Sequence, residues 1–120
     1  MNKVNLKEKL GQFDDHWNPR IVGKLNGQLV KIVKLKGEFV WHKHDDEDEL
    51  FYVISGELKL EFRDKIEILK AGEFIIVPGG VEHKPVADNE CEVMLFEPET
   101  TVNTGNNPGE LTRNSLEELE

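Results

Sequence analysis

The apolar positions of this chain follow two periods. Leu6, Leu10, Phe13 and Trp17 are separated by four, three and four residues, which places them on one face of a helix over residues 4–17. Gly11 weakens that helix by about 1 kcal/mol relative to alanine, and Asn18-Pro19 ends it. An amphipathic helix docked on the rest of the domain accounts for the pattern; a recruitment helix for a partner is the alternative. From Ile21 to Phe96 the period falls to two. Leu29, Val33 and Leu35 alternate with Val30 and Ile32, Phe39-Val40-Trp41 follows Gly37, and Leu50–Ile54 runs into a Ser55-Gly56 turn. Leu58, Leu60 and Phe62 alternate with Glu57, Lys59 and Glu61, as in a half-buried strand, and Ile66 and Ile68 alternate with Lys65 and Glu67. The short apolar runs Phe74–Val77 and Val93–Phe96 predict strands buried on both faces. Short strands recurring every roughly 8–12 residues, with turns between them, predict an all-β sandwich or barrel.

Beyond Pro98 the composition turns polar. Thr100–Asn114, rich in Asn, Thr, Gly and Pro, reads as an extended arm. Ser115 and Glu118 have capping-box spacing, which predicts a helical turn over Ser115–Glu120, frayed or docked on a partner. The chain thus divides into an N-terminal helical segment (1–20), a barrel (21–97) and a polar C-terminal arm (98–120).

Length and charge narrow the function. A chain of 120 residues is one domain. Area scaling leaves about 6,600 Å² exposed of about 20,000 Å² unfolded, enough for one core. A two-domain enzyme with a separate cofactor domain is excluded. Fifteen basic and twenty-four acidic residues give 15 − 24 = −9. That charge repels phosphate backbones and no basic stripe offsets it, so nucleic acid is not an expected partner. No apolar run approaches the length of a membrane helix, and no membrane is expected as a partner either. The first residues lack the apolar core of a signal peptide. One cysteine, Cys91, can form no internal disulfide, which points to a reducing cytoplasm. Cys91 itself reads as a small buried hydrophobe.

Three of the four histidines fall in two compact patterns. The first is His42-Lys-His44-Asp-Asp-Glu-Asp-Glu49, closed by Gly56; the second runs from Gly72 through Pro78 and Gly80 to His83. Residues two apart in a strand point to one side, so His42 and His44 aim two imidazoles at one point. Glu49 lies at an odd offset from His44. The chain must turn between them for both to converge, and Asp45–Asp48 is polar enough to do so. Asp48 keeps the even parity of a straight strand, and it and Glu47 are the rival carboxylates. His83 follows the Pro78-Gly79-Gly80 turn, which can bring a second strand beside the first. Three imidazoles and a carboxylate suit a divalent transition ion: manganese, iron, cobalt, nickel, copper or zinc. Calcium and magnesium prefer mostly oxygen. His16 lies outside both patterns and reads as a helix-surface histidine. Glu82 should point away from His83, and Val40, Phe51, Val53 and Phe74 read as packing in the barrel core, with lining a pocket as the alternative. Trp41 and Tyr52 have outward parity. No nucleophile triad and no phosphate-cradling glycine loop is present.

The spacing His-x-His-x4-Glu-x6-Gly at His42, His44, Glu49 and Gly56 resembles the first cupin motif. Gly-x5-Pro-x-Gly-x2-His at Gly72, Pro78, Gly80 and His83 resembles the second. The resemblance covers about residues 21–97 and is to the small single-domain cupins described as mannose-6-phosphate isomerase-like. Two departures are visible: four residues rather than five separate Gly37 from His42, and Ala87 stands where the second motif usually has Asn. Neither removes a ligand. The resemblance implies a double-stranded β-helix, a jelly-roll barrel of about six to eight strands, with a metal in one mouth held by His42, His44, Glu49 and His83. It also implies a homodimer. The expected function is a metal-dependent enzyme acting on a small molecule, of dioxygenase, isomerase or decarboxylase type; a non-catalytic small-ligand-binding module is the alternative. Sugar-phosphate isomerisation is disfavoured, because no basic cluster near the motifs could receive a phosphate.

Overall fold

A computed structural model describes all residues from Met1 to Glu120. A short helix α1 (Leu6–Leu10) precedes β1 (Arg20–Leu25), β2 (Gln28–Glu38), β3 (Glu49–Ser55), β4 (Glu57–Phe62), β5 (Ile66–Lys70), β6 (Phe74–Val77) and β7 (His83–Pro98). The pairing is antiparallel throughout, with β1, β2, β7, β3 and β6 as neighbours in that order and β4 joining β5 to β7. The chain is therefore all-β with one short helix. The sixteen-residue β7 closes the barrel: its first turn pairs with β4, its second half with β3, and β2 runs along nearly all of it. The exposed surface is 6992 Å², close to the area expected for this length.

Inward residues of β2, β3 and β7 lie in rows across the sheet. Val33, Val93 and Val53 form one row and Lys31, Leu95 and Phe51 the next. With Leu58, Leu60, Leu69 and Cys91 the apolar rows make the main core. Two glycines are required here. Asn26 and Gly27, both at positive φ, form the two-residue turn between β1 and β2. Gly56, at φ +83°, lies so close to Cys91 that a Cβ would stand 2.8 Å from the Cys91 Cβ. Burial pushes the Cys91 thiol up to about 12, which leaves it an inert packing group.

Several expectations need correction. The N-terminal helix spans Leu6–Leu10 rather than 4–17. Gly11 ends it, and the following segment is held by Asp15 and Asn18 around Arg20. Leu10 and Phe13 cover Ile32 on the outside of the barrel, whereas Trp17, at φ +60°, turns inward and stacks on Phe39 at 4.8 Å. The four residues thus serve two surfaces, not one helical face. His16 accordingly sits in a bend, bonded to Glu90, and not on a helix. Ile66, Ile68, Phe74 and Ile76 are each more than half exposed. The pairing of Leu58 with Leu69 sends the Leu69 side of β5 inward, and β6 is an edge strand with only one neighbour. Of the run Val93–Phe96, Val93 and Leu95 are buried and Met94 and Phe96 half-buried. The C-terminus forms no helical turn: Ile21 N–H donates to Glu117 O and Leu119 N–H to Ile21 O, so it pairs with β1. Residues 100–114 are a compact, turn-rich loop rather than an extended arm. It buries Thr101 and Thr104 and is closed by bonds from Asn103 to Leu111 and from Arg113 to Asn103.

Candidate metal centre

The structure brings His42, His44, Glu49 and His83 together at one end of the barrel, all buried, with one donor atom of each within 4.8 Å of the others. His42 and His83 face each other across a ladder pair in which each N–H donates to the other's carbonyl. Their ring centroids stand 4.3 Å apart. His44 lies in the following turn, held by a 2.7 Å bond from Gly80 N–H to its carbonyl. Glu49 opens β3. No strand runs from Lys43 to Asp48, so the odd offset between His44 and Glu49 is absorbed by a turn. Asp48 accepts a bond from Gly79 N–H and is exposed; Glu47 accepts one from the Thr100 hydroxyl. Of the three rival carboxylates, Glu49 alone joins the cluster.

The hydrogen bonds of the cluster orient it toward an ion. His42 Nδ1 donates to Val40 O and His83 Nδ1 to Val81 O, both at 2.9 Å. A carbonyl can only accept, so the proton is on Nδ1 and, in the neutral ring, the Nε2 lone pair faces inward. His44 Nε2, His83 Nε2 and Glu49 Oε1 have no hydrogen-bond partner, and Glu49 Oε1 lies 3.4 Å from both nitrogens. Buried polar atoms converging without partners are costly unless something satisfies them. A divalent transition ion fits this donor set. Burial, and next the neighbouring His83, lower the His42 pKa to about 4, which keeps the ring neutral as a ligand must be.

Two buried charged residues beside the cluster are not marked by either motif. Lys31 and Glu97 are both about 1% exposed and form a 2.8 Å ion pair inside the barrel. Both occupy inward positions, Lys31 between Leu29 and Val33 and Glu97 after Val93 and Leu95. Charged residues at core parity were the available signal. Glu97 adjoins Glu49. Burial and the Glu49 charge push the Glu97 carboxyl well above its ordinary range, against the pull of Lys31. Burial also raises Glu49, but the polar groups crowded around it, Glu97, His44 and His83, outweigh burial and hold its carboxyl well below the ordinary range.

A cavity of about 40 Å³, room for a few waters, reaches His42 and Glu49 between Trp17, Phe39, Phe51 and Asn103. Phe51 and Val53 pack in the core, with Val40 half-buried against it, and Phe51 also lines this cavity; Phe74, expected in the core, faces solvent. Trp41 is half-buried under the Arg63 guanidinium, and Tyr52 is half-buried. Glu82 points outward to Arg63. The C-terminal loop straps the ligand turn: Lys43 N–H donates to Asn106 Oδ1, Asn106 N–H to Lys43 O, and Asn107 Nδ2 to Trp41 O. Gly105 sits so tightly on Lys43 and His44 that any side chain there would strike the Lys43 carbonyl.

Comparison with known proteins agrees with this architecture. The cupin domain model matches residues 29–97. The YdbB protein of Bacillus subtilis is 36% identical over 80 residues, covering 66% of this chain and 65% of its own length. The crystal structure of a cupin-2 domain containing protein from Shewanella frigidimarina is similar with a TM-score of 0.79 and 47% identity, over 80% of this chain and 94% of that one. Protein NMB1881 from Neisseria meningitidis is similar with a TM-score of 0.75 and 30% identity, over 82% of this chain and all of that one. Both motifs, the barrel that carries them and these matches agree that the chain belongs to the cupin family.

Proposed function

We propose that this protein is a metal-dependent enzyme acting on a small molecule, with His42, His44, Glu49 and His83 as the ligands of a divalent transition ion. The observation that carries this reading is the set of three buried, unpartnered donor atoms His44 Nε2, His83 Nε2 and Glu49 Oε1 facing one point. When bound there, the ion supplies a Lewis acid for substrate oxygen. The chain's own contribution is orientation and a proton. The Val40 and Val81 carbonyls fix two imidazoles, and Glu97, whose carboxyl is raised by burial and the Glu49 charge and anchored by Lys31, is the group placed to give or take a proton beside Glu49. A titratable inward group beyond the four ligands is what separates an enzyme from a passive metal site. The cavity admits only a small reacting group unless the C-terminal loop yields.

The second reading is a non-catalytic binding module, favoured by the apolar walls Trp17, Phe39, Phe51 and Leu95 of the same cavity. Elemental analysis of protein purified without tag or chelator tests the metal. Near-stoichiometric iron directs oxygen-uptake screens with small diols and thiols; manganese, nickel or zinc directs isomerase and decarboxylase screens. Absence of metal even after reloading would overturn the ligand assignment. Glu97→Gln keeps an oxygen to accept from Lys31 but cannot give or take a proton. It should keep the metal and lose turnover at least about a hundredfold, the low end of the range for a lost proton-transfer group. Unchanged turnover would move the reading to the binding module. The same reading takes the protein as a cytoplasmic homodimer. The open edge of β6 with exposed Phe74 and Ile76 supports the dimer. A monomer in sedimentation would exclude it.

A further inference from the structure

Beyond the ligand cluster, the C-terminal loop and the start of β2 line a second, partly open cavity of about 280 Å³. Its lining has unused hydrogen-bonding capacity. In a chain of net charge −9, Arg20 pairs with Asp15 and Glu117 and Arg63 with Glu82. Arg113, which lines the cavity, pairs with no carboxylate, and its Nε is buried without a hydrogen-bond partner. Thr101, on the same wall and 7% exposed, has a hydroxyl in the same condition. Lys31 closes the inner end; its ammonium has three protons and donates one, to Glu97. Asn114 adds a carboxamide.

We propose that this cavity binds a small molecule through a single carboxylate, held by the Arg113 guanidinium and the Thr101 hydroxyl. A guanidinium fork matches the two oxygens of a carboxylate. Glu99 lines the same cavity and repels a dianion more than a monoanion, which selects carboxylate over phosphate. Buried donors without acceptors are what such a ligand would satisfy. The cavity meets the ligand cluster only through Lys31 and Glu97, and the proposed contacts at Arg113 and Thr101 stand whether or not a metal binds there.

The test is a titration of the full-length protein with sodium acetate at constant ionic strength, followed by backbone amide NMR. Saturable shifts are expected at Thr101, Arg113 and Asn114. Arg113→Gln should weaken acetate binding at least about tenfold, the loss expected for one charge-assisted contact, with melting temperature and metal content unchanged. Arg113→Lys, which keeps the charge but not the fork, should fall between the two. Absence of saturable shifts in the loop, or equal affinity in Arg113→Gln and wild type, would overturn the site. Tighter binding of inorganic phosphate than of acetate would overturn the monocarboxylate assignment.

Discussion

The two ends of the barrel are built from the same strands and behave oppositely. On β3 the inward residues run from Glu49 to Phe51 and Val53; on β7 they run from Glu97 through Leu95 and Val93 to Cys91. At the Val53 end the core is closed and apolar, with Leu58, Leu60, Val53 and Val93 fully buried. At the Glu49 end three histidines, two carboxylates and a lysine share the interior with unpartnered atoms. The apolar end stabilises the fold at roughly 25 cal/mol per Å² of buried surface. The polar end contributes little net stability, because desolvation offsets attraction there. The difference shows how one alternation of in and out builds an apolar scaffold at one end and a buried polar cluster at the other.

The comparison can be broken most strongly at the buried ion pair. Glu97→Leu leaves Lys31 charged and alone in the barrel and should cost about 3–5 kcal/mol in chemical denaturation. Lys31→Met combined with Glu97→Leu should recover most of that loss, because two apolar groups need no partner. A double variant as unstable as the single one would mean that the pair is not the source of the cost. At the other end, Leu58→Ala should cost about 3 kcal/mol through its cavity. Metal content of the folded protein should be unchanged.

Acid sharpens the contrast. The folded pKa of His42 is about 4, against about 6.5 when unfolded. The unfolded chain therefore binds more protons between those values. The stability contributed by neutral His42 is present above about pH 6.5 and is lost as pH falls toward 4. For metal-free protein the loss is on the order of 3 kcal/mol. Urea titrations from pH 7 to 4 measure it, and His42→Asn should flatten the dependence. A variant as pH-sensitive as wild type would assign the effect elsewhere.

The smallest structural change with a clear readout is His44→Ala. It removes a donor from a turn outside the strands, so circular dichroism should be unaltered. Metal affinity should fall by more than the roughly 10–100-fold typical of a residue that merely orients a ligand. Wild-type metal content after dialysis would remove His44 from the cluster.

Much of the site was readable along the chain because its signals are local. His42 and His44 two apart, the acidic turn before Glu49, and the turn Pro78-Gly79-Gly80 before His83 depend on spacing that backbone geometry translates directly. The parity conflict at Glu49 could be stated from sequence, but only the turn from Lys43 to Asp48 resolves it, with Asp48 spent on Gly79 N–H. Lys31 and Glu97 lie sixty-six positions apart. Their charges look like ordinary surface residues until the register of β2 on β7 places both inside. The N-terminal pattern failed for a related reason. Apolar spacing reports that Leu10, Phe13 and Trp17 are buried, not that they are buried together, and Arg20 with its partners pulls the chain out of helix.

What the sequence determined by itself is the class of fold and which four residues, His42, His44, Glu49 and His83, come together, since period-two alternation and motif spacing are properties of neighbouring residues. Tertiary structure alone decided which charges entered the barrel, how the C-terminal loop closed over the ligand turn, and which β5 and β6 side chains faced solvent. Those outcomes depend on strand register and loop docking. Both are set by the summed packing of residues far apart in the chain, which no local pattern records.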